Sequence, residues 1–195
     1  MRPIILITSC VPHLARNNWC RNTWLATWGD RIPYKFVLGN GRTREFDDEL
    51  VLPLDDSYVG LPAKIQASHA WALGQGYDYI LKTDCDMYVH IPRLLASGFE
   101  NHPYSGNFHW PEFALGGSYW LSRDASEALV KAELPAYPAN GGDDVWVGRV
   151  MREHHFLHHH DPRYTVGNVT DDFISLHTTG PTPHNMADVH AKVCQ

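Results

Sequence analysis

The sequence holds no pair of cysteines at CxxC spacing, no apolar run near the roughly 20 residues that cross a bilayer, and no cluster of lysine and arginine. Each absence closes a class of function. Cys10, Cys20, Cys85 and Cys194 are scattered, so they read as reduced thiols rather than a disulfide framework. The opening MRPIILITSC has an apolar run of only a few residues, which suits a strand and neither a signal peptide nor a membrane anchor. With a formal charge of −6 and no basic surface stripe, the chain is not expected to bind nucleic acid. Repeats at solenoid periods and low-complexity stretches are missing as well, and so are an HExxH zinc helix and a nucleophile elbow. What remains is one soluble globular domain with no integral membrane segment, expected in the cytoplasm.

The composition supports that: 195 residues, 44% hydrophobic and 19% charged, suffice for one domain with a sizeable core. Strand-like and helix-like patterns alternate from the start, as in a parallel α/β sheet. Residues 3–9 predict a buried strand and 14–28 a helix stopped by Gly29. Residues 34–38, closed by Gly39-Asn40-Gly41, and 50–54 predict two strands, the second at an edge because of Pro53. A helix from about Pro62 to Gly74 leads into a strand over 77–83. Further on, 113–122 predicts a strand interrupted at Gly116-Gly117, and Arg123 to Lys131 a short helix. Residues 139–155 predict an amphipathic helix entered through Gly141-Gly142 and capped by Asp143, with Asp144 in its first turn. A late strand over 172–178 and an irregular, proline-containing tail complete the chain.

The chemistry centres on YDYILKTDCDMYVH, residues 77–90. Ligands of open parallel sheets bind beyond the carboxyl ends of the strands, and Asp84 and Asp86 fall at such an end. On an extended segment carboxylates at i and i+2 point the same way and can converge on Mg²⁺ or Mn²⁺, although Asp-x-Asp also recurs in plain turns. Asp144 is a candidate general base, but a carboxylate in a first helical turn commonly does no more than favour the positive end of the helix dipole. His177 lies in an apolar strand, where a lone histidine is more often a hydrogen-bonded core residue than a ligand. The run His154, His155, His158, His159, His160 and Asp161 lacks zinc-site spacing and is expected to be a solvated helix end and loop.

Five collinear blocks resemble the β1,3-glycosyltransferases of glycosyltransferase family 31, the galactosyl-, N-acetylglucosaminyl- and Fringe-like group. RNNWCRNTW is similar to the family's R-R-x-x-I-R-x-T-W at Arg16, Arg21, Thr23 and Trp24. DDSYVGLPAK keeps Asp56, Tyr58, Leu61 and Lys64 of D-x-Y-x-N-L-T-x-K, and KTDCDMYV resembles K-T-D-D-D-x-F-V with Cys85 at the middle aspartate. GGSYWLSRD resembles G-G-G-Y-x-L-S-R-D, and DDVWVG resembles E-D-V-x-V-G with Asp143 for the glutamate. The resemblance implies a GT-A fold over 1–195, with a nucleotide-binding half (1–90) and an acceptor and catalytic half (91–195). It implies a UDP-sugar donor, a glycan or glycoconjugate acceptor, Mn²⁺ or Mg²⁺, and inverting transfer of a hexose, expected as a β1,3 linkage. By the same resemblance Asp86 is the main metal ligand with Asp84 beside it, His177 in ISLHT completes the metal site, and Asp144 is the base. Arg16, Arg21, Lys64, Asp84, Gly116 and Gly117 are assigned to the donor. The family's Golgi members carry an anchor and stem, and without them the expectation is a compact enzyme of bacterial or viral type. Two rivals differ in class: a glycoside hydrolase, which needs its carboxylates across a scissile bond rather than on one strand, and a catalytically silent nucleotide-sugar or glycan-binding module of the same fold.

Overall fold

A computed structural model describes residues 1–40, 46–109, 112–136, 142–165, 170–179 and 185–194. The chain folds as an α/β domain around a seven-stranded, mostly parallel sheet. Its strands, in chain order, are β1 (Pro3–Thr8), β2 (Tyr34–Leu38), β3 (Glu49–Val51), β4 (Tyr79–Asp84), β6 (Tyr104–His109), β7 (Phe113–Ser122) and β8 (His158–His160), with β5 (Met87–Val89), β9 (Tyr164–Thr165) and β10 (Ser175–His177) forming a small second sheet. The spatial order of the large sheet is β3-β2-β1-β4-β7-β6-β8, and that of the small one β5-β10-β9. The helices are α1 (Leu14–Asn22), α2 (Trp24–Trp28), α3 (Leu61–Gly74), α4 (Ile91–Leu95), α5 (Arg123–Lys131), α6 (Asp143–Glu153) and α7 (Met186–Val193).

β1 is central because its aliphatic run can be buried on both faces. Ile5 and Ile7 enter a core with Trp24, Trp120 and Leu176, whereas Ile4 and Leu6 on the other face meet Val37, Ala72 and Ile80. Each such side chain contributes about 1.5–3 kcal/mol by leaving water. A third cluster, built on Tyr104, Tyr119, Leu129, Trp146 and Met151, packs α5 and α6 onto β7. Gly148 makes that packing possible: a Cβ there would lie 2.4 Å from Phe113 Cβ and 2.6 Å from the Glu112 carbonyl oxygen. α6 therefore rests directly on the β7 backbone.

Several expectations need correction. The helix expected over 14–28 breaks at Thr23 (φ −123°, ψ −106°), whose hydroxyl bonds back to the Trp19 carbonyl at 2.6 Å and competes with the helical ladder. Pairing with β2 confines the strand expected over 50–54 to Glu49–Val51. The interruption expected at Gly116-Gly117 takes the form of a bulge: β7 is one strand over Phe113–Ser122, but its pairing with β6 shifts register between Gly106 and Phe108, opposite residues 115–118. Gly142 rather than Asp143 occupies the cap position of α6, and Gly141 lies outside the described residues, as do Gly41 and the tail prolines Pro181 and Pro183. The tail is not wholly irregular, since Asn185 caps α7 by accepting from the Ala187 amide. Nor is the histidine run all loop: His158–His160 pair with β6, and the His102 and His159 rings stack at 3.7 Å.

Candidate functional site

β1 and β4 run parallel with Thr8 opposite Asp84, and the Cys85 amide donates to the Thr8 carbonyl at 3.0 Å. The acidic turn is thereby fixed at the carboxyl edge of the sheet, where loops and helix starts converge. A cleft of about 330 Å³ opens there, with Arg16, Lys64, Asp84, Asp86 and His177 all on its wall.

Asp86 anchors one end. Its Oδ2 accepts from Arg16 Nη1 at 2.9 Å and from the Thr179 hydroxyl at 2.6 Å, and lies 3.4 Å from His177 Nε2. The antiparallel pairing of β5 with β10 sets His177 opposite Met87, which carries the imidazole to a carboxylate remote in sequence. Burial opposes ionisation of Asp86, but hydrogen bonds from His177 and Thr179 and the charge of Arg16 outweigh it and bring its pKa down to about 2. The bond to Asp86 raises the pKa of His177 against the opposing effect of burial.

The strand ends at Asp84 and Cys85-Asp86 form a turn, so the two carboxylates do not share one extended face as the i, i+2 spacing suggests. Asp84 faces Lys82, whose Nζ lies 2.8 Å from its Oδ1 and 3.6 Å from Asp143 Oδ2, and also donates to the Gly116 carbonyl. Burial works against the charge of Lys82, yet Asp143, Asp84 and Asp144 together hold its pKa above the ordinary lysine value. Burial pushes Asp84 up to about 6, against the pull of Lys82.

The buried ammonium joins the acidic turn to the start of α6. There the Asp144 Oδ2 accepts from the Gly116 amide at 3.1 Å and Oδ1 from the Val145 amide at 2.9 Å. A Cβ on Gly116 would lie 3.3 Å from that carboxylate, so the bare backbone leaves it room. Burial first, and the charge of Asp143 second, raise the pKa of Asp144. A carboxylate so placed is a competent general base near neutral pH.

Of the other expected donor contacts, Lys64 is 2% exposed, with its Nζ 2.9 Å from the Ser9 carbonyl and 2.6 Å from Asp56 Oδ1. Asp56 also accepts from the Gly39 and Val11 amides, both at 2.6 Å. Lys64 thus ties the loops after β1 and β2 together beneath the cleft. Gly117 sits over Met87, with 3.0 Å between its hypothetical Cβ and the Met87 sulfur, and its carbonyl accepts from the Thr83 hydroxyl at 3.1 Å. Arg21 stands apart from the cleft: it forms a fork on Asp48 at 2.8 and 2.9 Å, reaches Glu49 at 3.0 Å, and stacks over Phe36. The sequence reading gave no role to Lys82, Thr179 or Asp56. Lys82 carried a usable signal, a cation inside an apolar strand one turn of pleat from an acid, whereas Thr179 is joined to Asp86 only by the fold.

A metal of the kind the family resemblance implies can be tested against these donors. Carboxylate oxygen suits Mg²⁺ or Mn²⁺ and imidazole is a common metal ligand, so Asp86 and His177 fit. Among the described residues no group of three or more His, Cys, Asp or Glu side chains is arranged to hold a metal ion, and Asp84 is committed to Lys82. The fold thus brings together two of the three expected ligands, Asp86 and His177.

No family model matches the chain. In sequence it is 28% identical over 94 residues to the UDP-GalNAc:β-1,3-N-acetylgalactosaminyltransferase 2 of Mus musculus, covering 48% of this chain and 18% of that enzyme. The chain spans about half or less of the length of the curated relatives it matches, all of them β1,3-glycosyltransferases. Among solved structures it is similar to a glycosyltransferase involved in glycosylation of the major capsid of PBCV-1, with a TM-score of 0.59, 12% identity and coverage of 99% of this chain and 98% of that one. It is also similar to the Drosophila β1,4-galactosyltransferase 7 mutant D211N complexed with manganese, UDP-Gal and xylobiose, at TM-score 0.58 and 13% identity over 83% of this chain and 66% of that one. The fold is GT-A, and the sequence is similar to β1,3-glycosyltransferases of family 31.

Proposed function

We propose that the protein is a metal-dependent, inverting glycosyltransferase that moves a hexose from a UDP-sugar to a hydroxyl of a glycan or glycoconjugate, forming a β1,3 linkage. The observation that carries this reading is the joining of two carboxylate centres at one sheet edge: Asp86 with His177 and Arg16, and Asp144 over Gly116, bridged by Lys82 with Asp84 and Asp143. The first centre suits a diphosphate, the second a nucleophile's proton.

Asp86 and His177 would hold Mn²⁺ or Mg²⁺, which when bound neutralises negative charge on the departing diphosphate. Arg16 adds a fixed positive charge at the same corner, and its bond to Asp86 keeps its side chain pointed into the cleft. Asp144 takes the proton from the acceptor hydroxyl as that oxygen attacks the anomeric carbon. One displacement with one base inverts the configuration and needs no covalent nucleophile. Gly116 keeps the wall beside the base free of a side chain, in keeping with a sugar-sized occupant. Sequence likeness to enzymes named for UDP-GalNAc and β1,3 transfer, and fold likeness to a complex with manganese and UDP-Gal, support the donor, the cation and the linkage.

The test is UDP release from UDP-galactose, UDP-N-acetylgalactosamine and UDP-N-acetylglucosamine, with methyl β-glycosides as acceptors, in Mn²⁺ and in EDTA. Turnover that requires both cation and acceptor is expected. Binding of UDP-sugar with no turnover under any of these conditions would instead identify a silent binding module.

A further inference from the structure

We propose that Tyr58 determines acceptor specificity, its phenol placed to hold the acceptor sugar against Asp144. This rests on the transfer reading above. Tyr58 lies between β3 and α3 and is 68% exposed, yet its ring lines the cleft that holds Asp84 and Asp86. A large aromatic left that open at a cleft offers an apolar face to a pyranose ring and a hydroxyl at its tip. Among the described residues, the phenol has no hydrogen-bond partner.

Its position relative to the base is set by Gly142. A Cβ there would lie 2.7 Å from Asp144 Oδ1 and 3.2 Å from Tyr58 Oη, so the two oxygens flank one point left open by the missing side chain. Tyr58 belongs to the loop bearing Asp56, itself held by Lys64 and by the Val11 and Gly39 amides. The ring is thus mounted on a fixed base although its face is open. Burial and the charges of Asp143 and Asp144 raise the phenol's pKa, so it stays protonated and can donate. The ligand that fits is a neutral pyranose, with its apolar face on the ring, one hydroxyl accepting from Tyr58 and the reacting hydroxyl turned toward Asp144. UDP needs neither contact.

The experiment compares the wild-type chain with Tyr58→Phe and Tyr58→Ala, using the UDP-sugar and methyl glycoside that the wild type turns over. Acceptor and donor kinetics are measured together with acceptor-free hydrolysis of the donor. Loss of one hydrogen bond in Tyr58→Phe is expected to lower kcat/KM for the acceptor about five- to tenfold, and Tyr58→Ala to lower it further. KM for the donor and the hydrolysis rate should stay at wild-type values, which a merely structural role would not produce. Unchanged acceptor kinetics in both variants, or a loss carried equally by donor KM and hydrolysis, would overturn the assignment to Tyr58 alone. A wild-type chain that releases no UDP overturns the transfer reading and this inference with it.

Discussion

Replacing Lys82 by methionine tests how the two halves of the site are joined. The methionine retains the length and apolar stem of the side chain and removes only the ammonium. In the native protein that ammonium is 2% exposed and sits 2.8 Å from Asp84 and 3.6 Å from Asp143. The two acids differ in what they can do without it. Asp84, half-buried at the cleft wall, retains some access to water, but Asp143, at 8%, is left as a buried, uncompensated charge. Breaking a buried pair from one side costs about 3–5 kcal/mol. For a chain of this size each kcal/mol is worth about 2–4 °C in Tm, so a drop on the order of 6–20 °C is expected in calorimetry. The double variant Lys82→Met with Asp143→Asn removes the stranded charge and should recover at least half of the loss, a coupling that a double-mutant cycle in urea isolates. A single variant melting within about 2 °C of wild type, or a double variant no better than the single, would refute the argument that Lys82 bridges buried acids.

Two further expectations follow from the same geometry. Because the native state holds the proton of Asp144 more tightly than the unfolded chain does, stability falls as pH rises from the ordinary aspartate value through the raised one. Asp144→Asn should therefore abolish transfer without lowering Tm at neutral pH, and the acid limb of kcat/KM, set by loss of the carboxylate form, should lie above the ordinary aspartate pKa and move to lower pH in Asp143→Asn. Gly148→Ala forces a methyl into the Phe113 Cβ and the Glu112 carbonyl, so it should cost about 1–3 kcal/mol in urea denaturation and reduce activity by lifting α6 away from Gly116.

What could be read from the chain was local. The aliphatic run of β1, the glycine stops and the proline at the start of α3 each act within a few residues, and the structure returns them nearly unchanged. Asp86 and Asp144 could be singled out as candidates for a similar reason, since a carboxylate at a strand end and one in a first helical turn are recognisable where they stand. The failures lie where a competing contact, near or distant, outweighs the pattern. Thr23 ends α1 through its own hydroxyl, a local event that helical periodicity hides because Trp24 and Trp28 continue the apolar pattern. Arg21 looked like a phosphate contact, but Asp48 and Glu49, brought close by the pairing of β2 with β3, claim its guanidinium.

The acidic turn shows why spacing alone misjudged its geometry. In an extended segment Asp84 and Asp86 would share a face, but β4 must stop at Asp84 so that the Cys85 amide can reach Thr8 and the chain can turn into β5. Cys85, 3% exposed, then packs into the main core beside Met87 and Trp120, while the Cys20 thiol donates to its carbonyl at 3.3 Å. A carboxylate at position 85, where the family pattern has one, would be a third negative charge between Asp84 and Asp86 on the core side. The thiol takes that place without charge, and Asp86 keeps the partners it has: the guanidinium of Arg16 from α1 and the imidazole of His177 from β10. Position 85 therefore closes the core under the turn, and the polar groups of the turn gather around Asp86 instead.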